Sequence, residues 1–382
     1  MKNLPQFYQT HFQTQLTRPQ CLVLNLLVAL IQEHKQVKLE GLAKAFPLWI
    51  KFASRRRKIQ RFLVLPQLTL VNIWFPLVTY WLSTYCPKTS ILYIAIDRSQ
   101  WGGSNLLMVS LIWDKRAIPL SWILLPKLGA SNLESQKIAI GPVLSLLKEY
   151  KTVVLGDREF CCVDLAKWLR EQGVYFCLRL KRSEFIQLEG QIWLQLQTLG
   201  LVPGVCLYFR GVKVTKAKGL TGFNVACKWQ RKYQGWAPEE GWFILTNLSD
   251  LKSAISAYKK RFCIEEMFKD CKSGGYNIEK AKVAEQRLNS LILLIAIAYT
   301  SALVQGCKIK RMGVQKYICR VKEPKRLQRR HSTFHVGLNS MMWVNSVEQH
   351  ADEMAELMRL SPNKRQYYQR GRKAVQLIRK AS

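Results

Sequence analysis

Apolar and polar positions along the chain fall into three stretches of different character. Over residues 1 to 85 apolar side chains recur at helical spacing, punctuated by prolines. Residues 21–32 read as one apolar helix, 39–46 as a short second one and 54–63 as a third, with Ser54 as its N-cap. From residue 91 the pattern becomes near-continuous apolar runs of strand length. Residues 91–97 have the composition of a central strand covered on both faces. Strands at 106–113 and 117–125 follow, joined by the turn-like Asp114-Lys115-Arg116, then a helix at 132–149 and a short strand at 152–156. A helix at 163–172 is stopped by Gly173.

Residues 174–248 hold short strand candidates at 175–180, 205–213, 223–228 and 242–246, separated by Gly and Pro, which reads as a β-rich insertion. Residues 250–272 are predicted to be helical throughout, and 287–303 to form a second, apolar helix. The run 291–304 is too short for a bilayer and contains Tyr299, Thr300 and Ser301, so a buried core helix is expected and no membrane partner. Beyond Cys307 the chain is basic and less regular, with a last amphipathic helix at 348–360 and a basic tail at 362–380. Three strands, a helix, a strand and a helix, with Asp at the ends of the first and fourth strands, is the order of a ribonuclease-H-like core. The expected fold is therefore α/β. A mixed-sheet core at 86–305 carries the β-rich insertion at about 174–248, between a helical domain at 1–85 and a helical, basic region at 306–382.

Charge changes the picture more than composition does. Lys and Arg number 59 against 25 Asp and Glu, a net charge of +34, while 48% of residues are hydrophobic. The chain can build a core, yet its self-repulsion suits a polyanionic partner better than small-metabolite chemistry. Arg55, Arg56, Arg57, Lys58 and Arg61 concentrate on the third N-terminal helix, which makes it a candidate DNA-reading or DNA-gripping element. The eleven cysteines lack zinc-type spacing, and adjacent Cys161 and Cys162 suit neither a disulfide nor two ligands of one ion. Reduced thiols in a cytoplasmic protein are expected.

Against this basic background three acids stand out. Asp97 ends the run Ile-Leu-Tyr-Ile-Ala-Ile-Asp, Asp157 ends Thr-Val-Val-Leu-Gly-Asp, and Glu265 lies in the helix predicted to follow. On a continuous helix Tyr258, Arg261, Glu265 and Lys272 fall within about 60° of one another. Lys269 is close to that face, and Glu266 points about a quarter-turn away. Attack on a phosphodiester needs an activated oxygen, a stabilised leaving oxygen and in-line geometry. Two hard ions about 4 Å apart supply these, and Mg²⁺, for which Mn²⁺ can substitute, prefers carboxylates. Asp97 is expected to bridge two ions, with Asp157 and Glu265 each completing one site. Glu159, Asp164 and Glu134 compete; Glu159 is the nearest rival, with pairing to Arg158 or Arg179 as its expected structural role.

Tyr258-x-x-Arg261-x-x-x-Glu265, then six residues and Lys272, resembles the Tyr-Arg-Glu-Lys signature of the IS-four family of bacterial insertion-sequence transposases. The strand ending at Asp97 and Gly156-Asp157-Arg158-Glu159-Phe160 are similar to its other two acidic motifs, and the resemblance spans roughly residues 85 to 305. It implies cut-and-paste movement of a DNA element, with Tyr258, Arg261 and Lys272 on phosphates of the element end beside Glu265. Trp242 resembles the Trp of the family's Trp-x-x-x-Thr strand, which in hairpin-forming members stacks on a flipped base; Trp229 and Trp236 rank below it. The expected partners are the element's terminal inverted repeats and target DNA, bound by a homodimer. A nuclease of the same fold, or an inactive DNA-binding regulator, is the alternative.

Overall fold

A computed structural model describes residues 4, 6–101, 103–232, 238–281, 283–322 and 331–381. In chain order the elements begin with α1 (Gln6–Gln15), α2 (Arg18–His34), α3 (Leu39–Ala45), α4 (Phe52–Phe62) and α5 (Phe75–Tyr85). Then come β1 (Ile91–Trp101), β2 (Ser104–Trp113), β3 (Arg116–Leu125), α6 (Leu133–Leu146), β4 (Lys151–Gly156), α7 (Val163–Glu171) and β5 (Tyr175–Arg179). They are followed by β6 (Phe185–Gln187), β7 (Trp193–Gln195), β8 (Cys206–Val214), β9 (Leu220–Lys228) and β10 (Trp242–Thr246). The chain ends with α8 (Leu251–Lys259), α9 (Phe262–Cys271), α10 (Glu285–Arg311), α11 (Thr333–Gln349), α12 (Ala351–Leu360) and α13 (Arg365–Ala381).

Two compact units share these elements. One comprises residues 78–268, the other residues up to 77 together with those from 269 onward. The sequence boundaries near 85 and 305 followed composition; the compact units instead divide at 77/78 and 268/269.

The first unit is built on one sheet in the order β3-β2-β1-β4-β5-β10-β9-β8-β6-β7. Its first five strands, 3-2-1-4-5, with β1 antiparallel to β2 and parallel to β4, form the ribonuclease-H-like core. The β2–β3 hairpin turns at Asp114 and Lys115, both with positive φ (44° and 62°), the primed geometry that matches strand twist. Asn132 caps α6 by accepting from Ser135 N at 2.8 Å, and α6 packs on β2 and β3. The β-rich segment is not a layer apart: β10 pairs antiparallel with β5 and β9, so the core sheet simply continues into it. Amphipathic α8 buries Ala254, Ile255, Ala257 and Tyr258 against Val153, Leu155, Cys177, Ala226 and Ile244 of the sheet.

In the second unit α10 packs on α2 and α11. It is long and apolar enough to cross a membrane, but 89% of its most apolar stretch is buried in protein, which makes it the core helix expected. The region after Cys307 is more regular than predicted. α10 runs on to Arg311, the chain breaks at His350 between α11 and α12, and the expected basic tail is α13, docked by Ala374, Val375 and Ile378 onto α10 and α11 residues. Those three apolar positions at helical spacing bury one stripe while the charges stay in water.

Candidate active site

Strands β1 and β4 run in parallel register up to the pair Ile96–Gly156, so Asp97 and Asp157 follow side by side where the two strands part. Asp157 ends its strand as expected. Asp97 does not: β1 continues to Trp101 because β2 keeps pairing with it, Asp97 opposite Met108. Gly156 leaves no room for a side chain, since a Cβ there would lie 2.8 Å from that of Phe160 in the tight turn that follows. Asp157 caps that turn, Oδ1 accepting from Glu159 N at 2.8 Å, and Asp97 Oδ1 accepts from Arg98 N at 2.8 Å.

The single helix expected over 250–272 is interrupted. α8 ends at Lys259 and α9 begins at Phe262, with i→i−3 bonds from Arg261, Cys263 and Ile264 tightening the junction. This turn drives Arg261 inward, leaving it 6% exposed. Its Nη1 approaches Asp97 Oδ2 at 3.4 Å and its Nη2 donates to Glu265 Oε1 at 2.5 Å. Glu265 is thus joined to Asp97 through one guanidinium. Glu266 points elsewhere, to Arg116 at 3.4 Å.

Tyr258 is fully buried, and the buried Arg261 pairs with the Asp97 and Glu265 carboxylates. Lys269 is exposed in the last turn of α9, and Lys272 lies just beyond that helix, paired with Glu279 at 3.0 Å. Both belong to the unit that starts at residue 269.

Burial is the largest influence on Asp97. It pushes the carboxyl up from 3.8 to about 7, aided by the negative charges of Asp157 and Glu265 and opposed by Arg261 and the Arg98 amide. Burial also raises the Tyr258 phenol. A buried anion crowded by two others is a place where added positive charge stabilises the protein, and three carboxylates are the donor set a hard divalent ion prefers. That chemistry fits a metal. As they stand, no three Asp, Glu, His or Cys among the described residues cluster closely enough to hold one; the Arg261 guanidinium supplies the positive charge.

The rival Glu159 is fully engaged. It accepts from Arg98 Nε at 2.9 Å and from Ser131 N and Oγ at 2.9 and 3.0 Å. Its partners are not the arginines expected, because Arg158 and Arg179 both meet Glu240 at 2.6 Å. Asp164 pairs with Lys218.

Trp242 stands on β10, half-buried, with ring centroids 5.1 Å from Tyr258 and 6.1 Å from Phe262. Phe262, which the sequence reading passed over, also lies under Arg261 at 4.8 Å; its only signal was adjacency to that arginine. Trp229 is half-buried beyond β9, and Trp236 lies outside the described residues.

In the other unit, α4 starts at Phe52 with Lys51 as N-cap, three residues ahead of the Ser54 expected as cap. Its five cations divide. Arg55 is half-buried and donates to Phe46 O at 3.3 Å, and Arg56 pairs with Glu40 at 3.2 Å. Arg57, Lys58 and Arg61 are exposed and line one groove of about 460 Å³ with the start of α2.

Comparison with known proteins adds a similarity. Residues 134–301 match the family described as transposase DDE domain, a span that includes Asp157, Trp242, Tyr258, Arg261, Glu265, Lys269 and Lys272 and begins after Asp97. No curated protein matches the chain. Among solved structures the chain is similar to the piggyBac transposase in the cryo-EM structure of its synaptic complex with hairpin DNA, at 11% identity and a TM-score of 0.42, covering 91% of this chain and 78% of that one. Over residues 134–301, then, this chain is similar to the transposase DDE domain family.

Proposed function

We propose that this protein is a DNA transposase that moves an insertion sequence by cut and paste, with Asp97, Asp157 and Glu265 as its catalytic carboxylates. The observation that carries the reading is the meeting of two aspartates at the parting of parallel strands β1 and β4, one of which, Asp97, is tied to a helical glutamate by the buried Arg261. The Tyr258-Arg261-Glu265-Lys272 spacing supports the IS-four family within the wider transposase class.

Asp97, Asp157 and Glu265 would hold Mg²⁺, two ions per site, with Mn²⁺ as a substitute. When bound, such ions activate an oxygen nucleophile and relieve charge on the leaving oxygen. Arg261 fixes the exposed Glu265 near the largely buried Asp97 and offsets the repulsion between their carboxylates. Trp242, braced by Tyr258 and Phe262, offers an aromatic face for a base turned out of the element end, and base stacking is worth about 1–3 kcal/mol. Arg57, Lys58 and Arg61 would grip the duplex ends, Lys269 and Lys272 their phosphates, and a homodimer would synapse the two ends. The eleven cysteines are free thiols, which suits action in the cytoplasm beside the chromosome.

Incubation with end-labelled element DNA and a target plasmid tests the reading. Joined product requiring Mg²⁺ or Mn²⁺ is expected. Cleavage without joining would make the protein a nuclease, and binding without chemistry an inactive regulator.

A further inference from the structure

A recess of about 350 Å³ lies where β8 begins and β9 ends, bounded by Gly204, Cys206, Lys228, Trp229, Arg231 and Lys259. Lys228, Arg231 and Lys259 bring three positive charges to it, and none of them has a carboxylate partner among the described residues. The wall is built for its arginine. Gly204 has φ +97°, a conformation that favours glycine, and the Arg231 side chain lies against it, its Nε 2.5 Å from where a Cβ would stand. Trp229 is fixed from three sides: its O accepts from Gly204 N at 2.9 Å, its N donates to Val205 O at 3.1 Å and its Nε1 donates to Pro238 O at 3.1 Å.

Register links the recess to the carboxylates. Cys206 pairs with Lys228, and Lys228 with Trp242, and directly opposed residues project from the same face of a sheet. Trp242 meets the Tyr258 and Phe262 rings, and Phe262 lies under Arg261, which holds Asp97 and Glu265. One row therefore leads from the acids, over an aromatic ledge, to three cations with no carboxylate partner among the described residues, beside a second indole. Cations that take phosphates alternating with rings that take bases are the means by which proteins hold single strands. A recess this small admits a nucleotide-sized group and not the breadth of a duplex.

We propose that this recess binds the phosphate backbone of an unpaired DNA strand led away from the carboxylates across Trp242. The proposal rests on the DNA-cleaving reading of that site and adds a seat for the strand that opening the duplex would release.

The exposed Cys206 thiol reports on it directly. In the full chain carrying Asp97→Asn, to suppress cleavage, a single-stranded oligonucleotide should slow alkylation of Cys206 by iodoacetamide several-fold, and a blunt duplex of the same sequence should not. Peptide mass mapping reads this against the other thiols as internal controls. Arg231→Gln with Lys259→Gln should abolish the protection and lower the salt dependence of single-strand binding by about 1.4, at about 0.7 per phosphate contact, while duplex binding keeps its slope. Equal alkylation with and without the single strand, or equal loss of slope for both DNA forms, overturns the proposal. Wild-type protein that cleaves normally but leaves Cys206 unprotected discards the recess alone. Protection without any cleavage discards the catalytic reading and leaves the recess standing.

Discussion

Asp97 is the residue on which burial, charge and register converge. Its carboxyl is raised from 3.8 to about 7, so the folded protein holds that proton more tightly than the unfolded chain does. Linkage then fixes the sign: its contribution to stability falls as pH rises between those values and is at its worst above the upper one. Asp97→Asn should therefore raise the melting temperature of metal-free protein at pH 8 by a few degrees, with little change at pH 4. Added Mg²⁺ should stabilise the wild type and not the variant; differential scanning calorimetry reads both. Arg261→Lys should lose cleavage nearly as fully as Arg261→Gln, because an ammonium cannot span two carboxylates as a planar guanidinium does. A Lys variant retaining more than about a tenth of wild-type rate, roughly 1.4 kcal/mol of barrier, would sink that role. Asp97 and Asp157 were legible as acids closing apolar runs. The Arg98–Glu159 pair was not, because 61 residues separate its members and only the pairing of β1 with β4 brings them together.

Two elements decide how the rest is held. Helices α10 and α11 approach through glycine: a Cβ on Gly337 would lie 1.8 Å from Ala302 O, and one on Gly306 2.0 Å from Thr333 O. Gly337→Ala must push the helices apart, and a loss of at least the ~1–3 kcal/mol typical of overpacking is expected in urea denaturation. On α4, charge does not mean availability. Replacing Arg57, Lys58 or Arg61 by Gln should each reduce the salt slope of duplex binding by about 0.9, whereas Arg56→Gln, which removes only the partner of Glu40, should leave it unchanged. At this scale the sequence was readable where periodicity decides and silent where tertiary contact does. The break at Lys260 and Arg261 carries no Gly or Pro; it follows from drawing a guanidinium inward toward Asp97. Conversely, Ala374, Val375 and Ile378 did announce a docked helix, masked by the surrounding Arg and Lys. Nothing in the strand pattern could tell that β10 joins β5, because pairing order is a property of the whole sheet.

For the whole molecule, the N-terminal helices do not form a unit by themselves. α2 packs on α10, Gln32 Nε2 donates to Ala298 O at 3.0 Å, and Lys35 Nζ donates to Asn339 Oδ1 at 2.6 Å. Residues 1–85 in isolation would expose those surfaces, so end recognition is best measured on the full chain. A net charge of +34 makes all such binding strongly salt-dependent and supplies affinity without sequence information. Binding alone therefore says little about the central claim, which is that Asp97, Asp157 and Glu265 cut DNA while their acidic neighbours do not. The most direct measurement is single-turnover cleavage of end-labelled element DNA in Mg²⁺ by five full-length variants matched for folding and DNA affinity. Asp97→Asn, Asp157→Asn and Glu265→Gln should each fall by at least about a thousandfold, roughly 4 kcal/mol of barrier. Glu159→Gln and Glu266→Gln should stay within about tenfold of wild type, about 1.4 kcal/mol. Near-normal cleavage by the Glu265 variant, with loss on changing Glu266 or Glu159 instead, would contradict the account.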